Sequence, residues 1–144
     1  MSAPADEELV LPDIGCFGCS PSRPDGLGIR FRRRGERVVS DYAIPASFHG
    51  APGVAHGGIV ATLLDEMSCA AAAVQFGWFV VTGELTVRYE RAIPLETSLH
   101  LEAWVASSDH PRYVVVEATV DRDGERLARA TSKIFRRDAP PNAP

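Results

Sequence analysis

Apolar and polar residues alternate in two short segments near the start of the chain, and this alternation predicts two paired strands. Every second residue from 27 to 31 is apolar within residues 27–33, which is the period of a strand with one buried face. Residues 37–44 have a second strand-like pattern, and Arg-Gly-Glu at 34–36 predicts a hairpin between them. Residues 45–55 contain several Pro and Gly and predict a loop.

The pattern then changes to that of one long helix. Residues 58–76 contain no proline, many good helix formers and four consecutive alanines at 70–73. Gly77 is a plausible helix stop. Apolar residues recur at helical spacing and predict the face that packs on the core: Ile59, Leu63, Met67, Ala70 and Val74.

Four more strand-like runs follow the helix, over residues 78–89, 98–107, 111–120 and 125–136. Asp123-Gly124 marks the last hairpin turn. Short connections imply an antiparallel sheet, and one helix with an apolar stripe must cover one face of it. We therefore expect an α+β fold in which the sheet wraps around a central helix.

Length and charge limit the class of protein. The 144 residues suit a single domain, with residues 1–13 expected to be a frayed lead-in and residues 138–144 a disordered tail. A net charge of −4 argues against general nucleic-acid binding, and the basic cluster at residues 30–34 is interpreted as a solvated strand end. A monomer this small buries only about two-thirds of its unfolded surface, so an oligomer would help.

The cellular setting is expected to be soluble, reducing and cytoplasmic. The N-terminus is acidic and lacks the apolar region of a signal peptide. The longest apolar stretch, residues 69–81, is interrupted by Gln75 and Gly77 and is shorter than the about 20 residues that span a bilayer, so we expect no membrane partner. Three cysteines are too few for a disulfide scaffold.

Cys16 and Cys19 have the spacing of half a zinc site. A structural zinc site needs four ligands, and the sequence holds no second cysteine pair and no histidines with paired spacing. We therefore interpret the pair as a structural turn and expect neither a metal nor a cofactor.

A His-Gly-Gly turn at residues 56–58 leads straight into the predicted helix. The first N–H groups of a helix have no internal partner and carry partial positive charge, and glycines allow close approach. The turn is therefore a candidate oxyanion site.

Asp65 lies in an otherwise apolar part of the same helix, beside Leu63, Leu64 and Met67. A carboxylate in such a place costs free energy unless it is paired or solvated, and isolated acids of this kind often mark function. Spacing alone leaves a second interpretation open, in which Asp65 simply faces solvent beside Glu66.

Helix geometry separates the turn from the acid. Asp65 follows Gly58 by seven residues, so the two lie about 10 Å apart along the axis. One helix therefore cannot place both groups on one small carbonyl. Two helices packed antiparallel about a two-fold axis would bring Asp65 of one subunit to the turn of the other. If both groups act together, the site crosses a dimer interface.

With these residues in place, the sequence resembles the hotdog-fold acyl-CoA thioesterases, in particular the branch with phenylacetyl-CoA thioesterase and the human thioesterase superfamily proteins. The resemblance covers residues 27–136. It rests on His56-Gly57-Gly58, on Asp65 nine residues after the histidine, and on Val-Thr-Gly-Glu-Leu-Thr-Val-Arg-Tyr and Arg-Ala-Ile-Pro-Leu at 81–89 and 91–95. The pieces at 16–19 and 24–27 also resemble an opening that recurs in this branch.

The resemblance implies thioester hydrolysis with Asp65 as general base on water or as nucleophile. The backbone N–H groups of Gly57 and Gly58 would polarise the carbonyl, and His56 would shape the turn or contact the carbonyl. Thr82 would hold the attacking water. Thr82 is out of phase with the apolar residues that follow it, so it reaches the site only if the strand bulges near Gly83.

The sequence offers candidates for the rest of the substrate site. Relatives carry a polar residue where this chain has Gly50, and whether the adjacent His49 replaces it stays open. The alanines at 70–73 suit either tight packing or a tunnel for an acyl group. Candidate pocket residues are Phe48, Met67, Phe76, Trp78 and Phe79. Candidate ligands of the CoA phosphates are Arg88, Arg112, Arg136 and Arg137.

Two alternatives to the thioesterase remain at this stage. One is a hotdog enoyl-CoA hydratase, which would need a paired Asp and His at another spacing. The other is a non-catalytic acyl-CoA binding module. The chain has no Gly-x-Ser-x-Gly nucleophile elbow and no phosphate-binding loop motif, so Asp65 has no visible rival. We expect a homodimer or homotetramer that takes an acyl-CoA.

Overall fold

The computed structural model describes residues 5–77 and 79–138 of the chain. One long helix, α1, spans Gly57–Phe76, and a short 3-10 helix spans Ala46–Phe48. The strands are β1 (Glu7–Leu9), β2 (Phe31–Arg34), β3 (Arg37–Ala43), β4 (Val80–Tyr89), β5 (Ser98–Ser107), β6 (Tyr113–Arg122) and β7 (Glu125–Arg136). Trp78 and most of the expected tail, residues 139–144, lie outside the described residues.

The strands form one antiparallel sheet in the order β1-β2-β3-β5-β6-β7-β4, and α1 packs against β3 to β7. This arrangement confirms the expected α+β fold with a sheet around one central helix. The position of β4 does not follow from chain order, because β4 pairs with β7 at the far edge while β5 pairs with β3. β4 and β5 are therefore consecutive in the chain but are not neighbours in the sheet.

The core lies between α1 and the inner face of the sheet. Val60, Leu63, Leu64 and Met67 are fully buried on α1. Burial of each large apolar side chain stabilises the fold by about 1.5–3 kcal/mol. Ile59 and Val74, which the sequence pattern placed on the buried stripe, are only partly buried, because the covered face is centred nearer Val60 and Leu64. The alanines at 70–73 are all buried, which agrees with the packing interpretation.

The buried position of α1 also explains its composition. The helix has 20 residues, an 18-residue window of it has a mean hydropathy of 1.4, and length and composition alone would allow it to cross a membrane. Its apolar residues instead contact the sheet, as in the core helix of a globular domain. The expectation that no segment has the length to span a bilayer is wrong for α1, and the expectation of no membrane partner stays a prediction.

Both ends of α1 and the last hairpin form as the sequence predicts. Gly77 follows the helix with φ of 102°, and its N–H donates to the carbonyl of Ala73 at 2.7 Å. Asp123 and Gly124 have φ of 49° and 78° between the paired residues Arg122 and Glu125. Two left-handed residues are the requirement of a type I′ turn, so the Asp-Gly signal is confirmed.

The lead-in expected over residues 1–13 is wrong for β1, which pairs with β2. The three residues of β1 are too few to show an alternating pattern of apolar and polar residues. Ion pairs of the preceding residue, Asp6, help to hold β1 against β2. Asp6 accepts from Arg32 at 3.1 Å and from Arg34 at 2.7 Å, and these hydrogen bonds lower the pKa of Asp6 to about 2. Part of the basic cluster at 30–34 therefore has a carboxylate partner.

β4 is an edge strand over its whole length. Its second edge has no partner strand among the described residues. Val81 is 36% exposed and Tyr89 is 49% exposed, and most of the strand faces solvent. Proteins seldom leave a long edge with apolar side chains uncovered, so this edge is suited to pairing with another chain.

We predict that Asp6→Asn destabilises the protein at neutral pH. The pKa of Asp6 is lowered from its ordinary 3.8 to about 2, so its contribution is present above 3.8 and disappears as the pH falls towards 2. The measurement is thermal unfolding at pH 7 and near pH 2, with amide exchange of Glu7–Leu9. Glu8→Gln on the same strand is the control. Equal unfolding temperatures for Asp6→Asn and wild type at pH 7 would show that the ion pairs of Asp6 with Arg32 and Arg34 do not stabilise the fold.

Candidate active site

The start of α1 is closed by the side chain of His56. His56 is the N-cap residue, and its Nδ1 accepts from the N–H of Gly58 at 2.9 Å. The backbone N–H of His56 in turn donates to the carbonyl of Phe48 at 2.9 Å. Since the N–H of Gly58 is used within the turn, we remove Gly58 from the candidate oxyanion donors. The N–H of Gly57 has no acceptor among the described residues and is the available donor.

Tyr89 ties this turn to the end of β4. Its hydroxyl donates to the carbonyl of Gly57. The ring lies beside the α-carbon of Gly57, where a Cβ would be in ordinary contact with the Tyr89 ring and oxygen at 3.5–3.8 Å. The first residue of α1 is thereby positioned by an edge strand. Sequence analysis missed this contact, because it joins residues that lie 32 positions apart.

Asp65 lies on the partly buried side of α1, where it meets the other end of β4. Thr82 donates its hydroxyl proton to Oδ1 of Asp65 at 2.6 Å. The register of β4 against β7 shifts between Thr82 and Glu84, so the strand bulges at Gly83. This confirms the bulge that the phase of Thr82 required. Asp65 is therefore hydrogen-bonded and does not simply face solvent.

Gly83 is needed at the bulge for space. A Cβ at this position would overlap the ring of Phe135 on β7. Phe135 pairs with Val81 and Ile134 pairs with Thr82, which places Thr82 on the same face as the buried Ile134. The glycine thus lets β4 turn Thr82 towards α1 while Phe135 stays against the strand.

Cys69 completes this cluster and was not among the sequence candidates. Its sulfur lies 3.2 Å from Oγ1 of Thr82. Burial, with the nearby Asp65 charge, raises the pKa of the Cys69 thiol to about 12, so it is protonated at neutral pH. Because the proton of Thr82 points to Asp65, the thiol donates to Thr82. The signal in the sequence was the i, i+4 spacing of Asp65 and Cys69.

One chain does not bring the turn and the acid together. α1 is continuous from Gly57 to Phe76, and eight residues of helix separate Gly57 from Asp65 by about 12 Å. β4 runs beside α1 in the opposite direction, with Thr82 at Asp65 and Tyr89 at Gly57. Each half of the candidate site therefore contacts one end of the same exposed strand.

Three of the four candidate arginines gather at one end of β4. Arg112, Arg136 and Arg137 line an open groove of about 530 Å³ with Val81 and Phe135. Arg136 also lies over the ring of Phe76, 5.9 Å from its centroid. None of the three pairs with a carboxylate within residues 5–77 and 79–138. Arg88 lies near the opposite end of β4, opposite Arg129, and does not join them.

The remaining candidates are spread over the structure. Met67 is completely buried in the core, so its contacts are those of packing. Phe48 is half-buried against the core at the end of the 3-10 helix. His49 is exposed, and its Nδ1 lies 3.2 Å from the carbonyl of Gly50. No contact joins His49 or Phe48 to Asp65 in the described structure.

The architecture of an antiparallel sheet around one helix, with an acid on that helix, defines a hotdog-fold protein, and comparison with known proteins agrees. The sequence model that describes the Thioesterase superfamily as a protein family matches residues 52–128, more than half of the chain. The chain belongs to the thioesterase superfamily. No curated protein sequence matches it.

Solved structures share the fold. A thioesterase superfamily protein has a TM-score of 0.74 and 23% identity, with 83% of this chain covered; the chain spans only 59% of that protein. A putative thioesterase related to phenylacetic acid degradation, from Ralstonia eutropha JMP134, has a TM-score of 0.70 and 20% identity over 82% of this chain and 92% of that one. A hypothetical thioesterase from Streptococcus pneumoniae TIGR4, solved with coenzyme A, has a TM-score of 0.63 and 24% identity over 69% and 79%.

We predict that Gly83→Ala lowers stability by about 1–3 kcal/mol, the usual cost of overpacking, because the added methyl overlaps Phe135. It should also move Thr82 away from Asp65. Chemical denaturation and the backbone NMR shifts of Val80–Tyr89 measure both effects. Thr86→Ala, an exposed change on the same strand, should stay within about 0.5 kcal/mol of wild type. An unchanged Gly83→Ala would show that the bulge does not need the glycine.

Proposed function

We propose that the protein hydrolyses an acyl-CoA or aryl-CoA thioester to the free acid and CoA, with Asp65 as the catalytic carboxylate. The observation that carries the proposal is the 2.6 Å hydrogen bond that fixes Asp65 on a helix whose other acid, Glu66, points elsewhere. Membership of the thioesterase superfamily supports thioester chemistry. The related hypothetical thioesterase solved with coenzyme A supports a CoA-type substrate.

The exposed edge of β4 gives a route to a complete site. If two copies pair their β4 edges antiparallel about a two-fold axis that passes between Leu85 and Thr86, Thr82 of one copy faces Tyr89 of the other. Thr82 holds Asp65 and Tyr89 holds Gly57, so this pairing brings the carboxylate of one subunit to the turn of its partner. The dimer would contain two identical sites.

The proposed chemistry uses one donor and one base. The thioester oxygen accepts from the N–H of Gly57, at the positive end of α1, where charge develops in the tetrahedral intermediate. Asp65 takes a proton from water as the water oxygen attacks the carbonyl carbon. Collapse of the intermediate breaks the C–S bond, and the CoA thiolate leaves as the thiol with the proton that Asp65 returns. In the second route, Asp65 attacks directly, the CoA thiolate leaves, and water hydrolyses the resulting anhydride. Thr82 orients the same carboxylate in both routes.

The arginine groove is the proposed site for the phosphates of CoA. Guanidinium groups bind phosphate oxygens in pairs. Arg112, Arg136 and Arg137 outnumber the one carboxylate that lines the groove among the described residues, that of Asp138. Val81 lines the groove and precedes Thr82 along β4, so the groove lies at the same end of β4 as the proposed reaction centre, although the two side chains point to opposite faces of the sheet. The long pantetheine arm would connect the two.

The hydratase alternative needs an Asp–His pair at the proposed site, and the described residues place none beside Asp65. The described Asp–His contact, between Asp41 and His100 at 3.2 Å, lies on the outer face of the sheet. Leu99 and Leu101, on either side of His100, are the fully buried residues that face α1. The three half-buried free thiols fit the reducing, cytoplasmic location that we propose.

We predict that purified protein releases free thiol from members of an acyl-CoA panel, and that Asp65→Asn lowers kcat by about 10²-fold or more, the usual contribution of a catalytic acid or base. Asp109→Asn, an exposed carboxylate between β5 and β6, is the control and should keep activity. Full activity in Asp65→Asn would overturn the mechanism. Saturable binding without turnover across the panel would instead support a binding module.

We also predict that Arg112→Ala raises KM for acyl-CoA by about tenfold, because one charged contact to phosphate is lost, while kcat changes little. The effect should shrink with an acyl-pantetheine substrate, which lacks the phosphates. Arg33→Ala removes an exposed arginine from β2, on the far side of the sheet from β4, and should leave KM unchanged. The same KM in Arg112→Ala and wild type would exclude the groove.

A further inference from the structure

Cys16, Cys19 and Glu66 form a compact cluster next to the proposed active site but outside it. One donor atom from each of these residues lies within 4.8 Å of the other two. The thiol of Cys16 donates to Oε1 of Glu66 at 3.3 Å. Glu66 extends from α1, whereas the cysteines lie about 50 positions earlier in a tight turn. The fold thus brings two sulfurs and a carboxylate together from distant parts of the chain.

The turn that carries the cysteines is held in place by its backbone. The N–H of Ser20 donates to the carbonyl of Cys16 at 3.0 Å. Leu27 and Ile29 donate to the carbonyls of Phe17 and Gly18 at 2.8 and 3.0 Å. These bonds fix both cysteines relative to the strand-like segment that enters β2.

Gly18 shapes this turn around the carboxylate. A Cβ on Gly18 would overlap the carboxylate group of Glu66, although the backbone of Gly18 does not need the left-handed conformation. The glycine therefore provides room for Glu66 between the two cysteines. A turn that only had to reverse the chain would not need that space.

The donor set has the chemistry of a cation site. Two thiolates and a carboxylate whose donor atoms lie within 4.8 Å of one another repel one another strongly when no cation lies between them. A divalent cation removes that repulsion and replaces the protons. Zn²⁺ prefers thiolate, imidazole and carboxylate ligands, and tetrahedral geometry with Zn–S near 2.3 Å places donors about 3.8 Å apart. The observed cluster is close to this spacing.

We propose that Cys16, Cys19 and Glu66 bind one Zn²⁺-class divalent cation, with water in the fourth position. The sequence argument against a metal counted only cysteine and histidine pairs, and Glu66 is the third ligand that it lacked. Two thiolates, one carboxylate and a divalent ion leave one negative charge. Arg23 lies beside this turn, where its guanidinium donates to the carbonyl of Gly15 at 3.2 Å and pairs with Asp25 at 3.0 Å.

A disulfide between Cys16 and Cys19 is the competing chemistry. Oxidation would remove the hydrogen bond from Cys16 to Glu66 and leave that partly buried carboxylate without this donor. The contacts of Glu66 therefore favour the cation.

The test is titration of the reduced, chelator-treated full-length protein with Co²⁺ and then Zn²⁺. We expect one Co²⁺ per chain with thiolate-to-cobalt charge-transfer absorption, and loss of this band as Zn²⁺ replaces it. Zn²⁺ should also raise the Tm. Glu66→Gln should weaken Co²⁺ binding by more than about tenfold, the lower bound for loss of even an outer-sphere partner. Cys16→Ser with Cys19→Ser should abolish the band.

Cys69→Ser is the matched control, because it removes the third cysteine and leaves the cluster intact. It should bind one Co²⁺ with the wild-type spectrum. The wild-type titration does not depend on the folding of any variant. Absence of the charge-transfer band in reduced wild type, loss of the band in Cys69→Ser, or full affinity in Glu66→Gln would each overturn the proposal.

Discussion

The hydrogen bond from Thr82 to Asp65 connects the helix, the edge strand and the proposed chemistry. An acid on the central helix of a small protein needs a polar partner, and the sheet supplies one only because β4 bulges at Gly83. Cys69, a protonated donor one helical turn after Asp65, fixes the rotation of the threonine hydroxyl. Three residues from two elements thus hold one carboxylate in a defined orientation.

β4 has two roles that follow from its place at the edge of the sheet. On its inner side it contacts both halves of the proposed site, through Thr82 and Tyr89. On its outer side it offers an unpaired edge with exposed Val81 and Tyr89. Gly57 and Asp65 lie about 12 Å apart along the axis of α1, and a continuous helix cannot shorten that distance. β4 contacts both groups within one subunit, and its free edge is suited to pair with the β4 of a second subunit, which would bring Gly57 of one copy to Asp65 of the other.

The sequence predicted what local patterns encode. The helix and the Asp-Gly hairpin follow from spacing and turn chemistry, and both are confirmed. The bulge at Gly83 was the condition for Thr82 to take the role that the family resemblance implies, and it is present. β1 was missed because three residues held by Asp6 carry no periodic signal. The pairing of β4 with β7 and the contact between Cys16 and Glu66 were missed because both join distant parts of the chain. Such contacts depend on the closed fold and leave no mark in composition or period.

Activity of a mixed dimer tests most directly whether the reaction centre is shared between subunits. Gly57 is the first residue of α1 and His56 is extended, so Gly57→Pro removes the donor N–H at a position where proline is tolerated. Gly57→Ala keeps the N–H and is the control. A purified heterodimer of Asp65→Asn and Gly57→Pro subunits should regain about half of the wild-type kcat, because one of its two sites is intact. A heterodimer as inactive as both parent homodimers would place the whole site within one subunit and contradict the account.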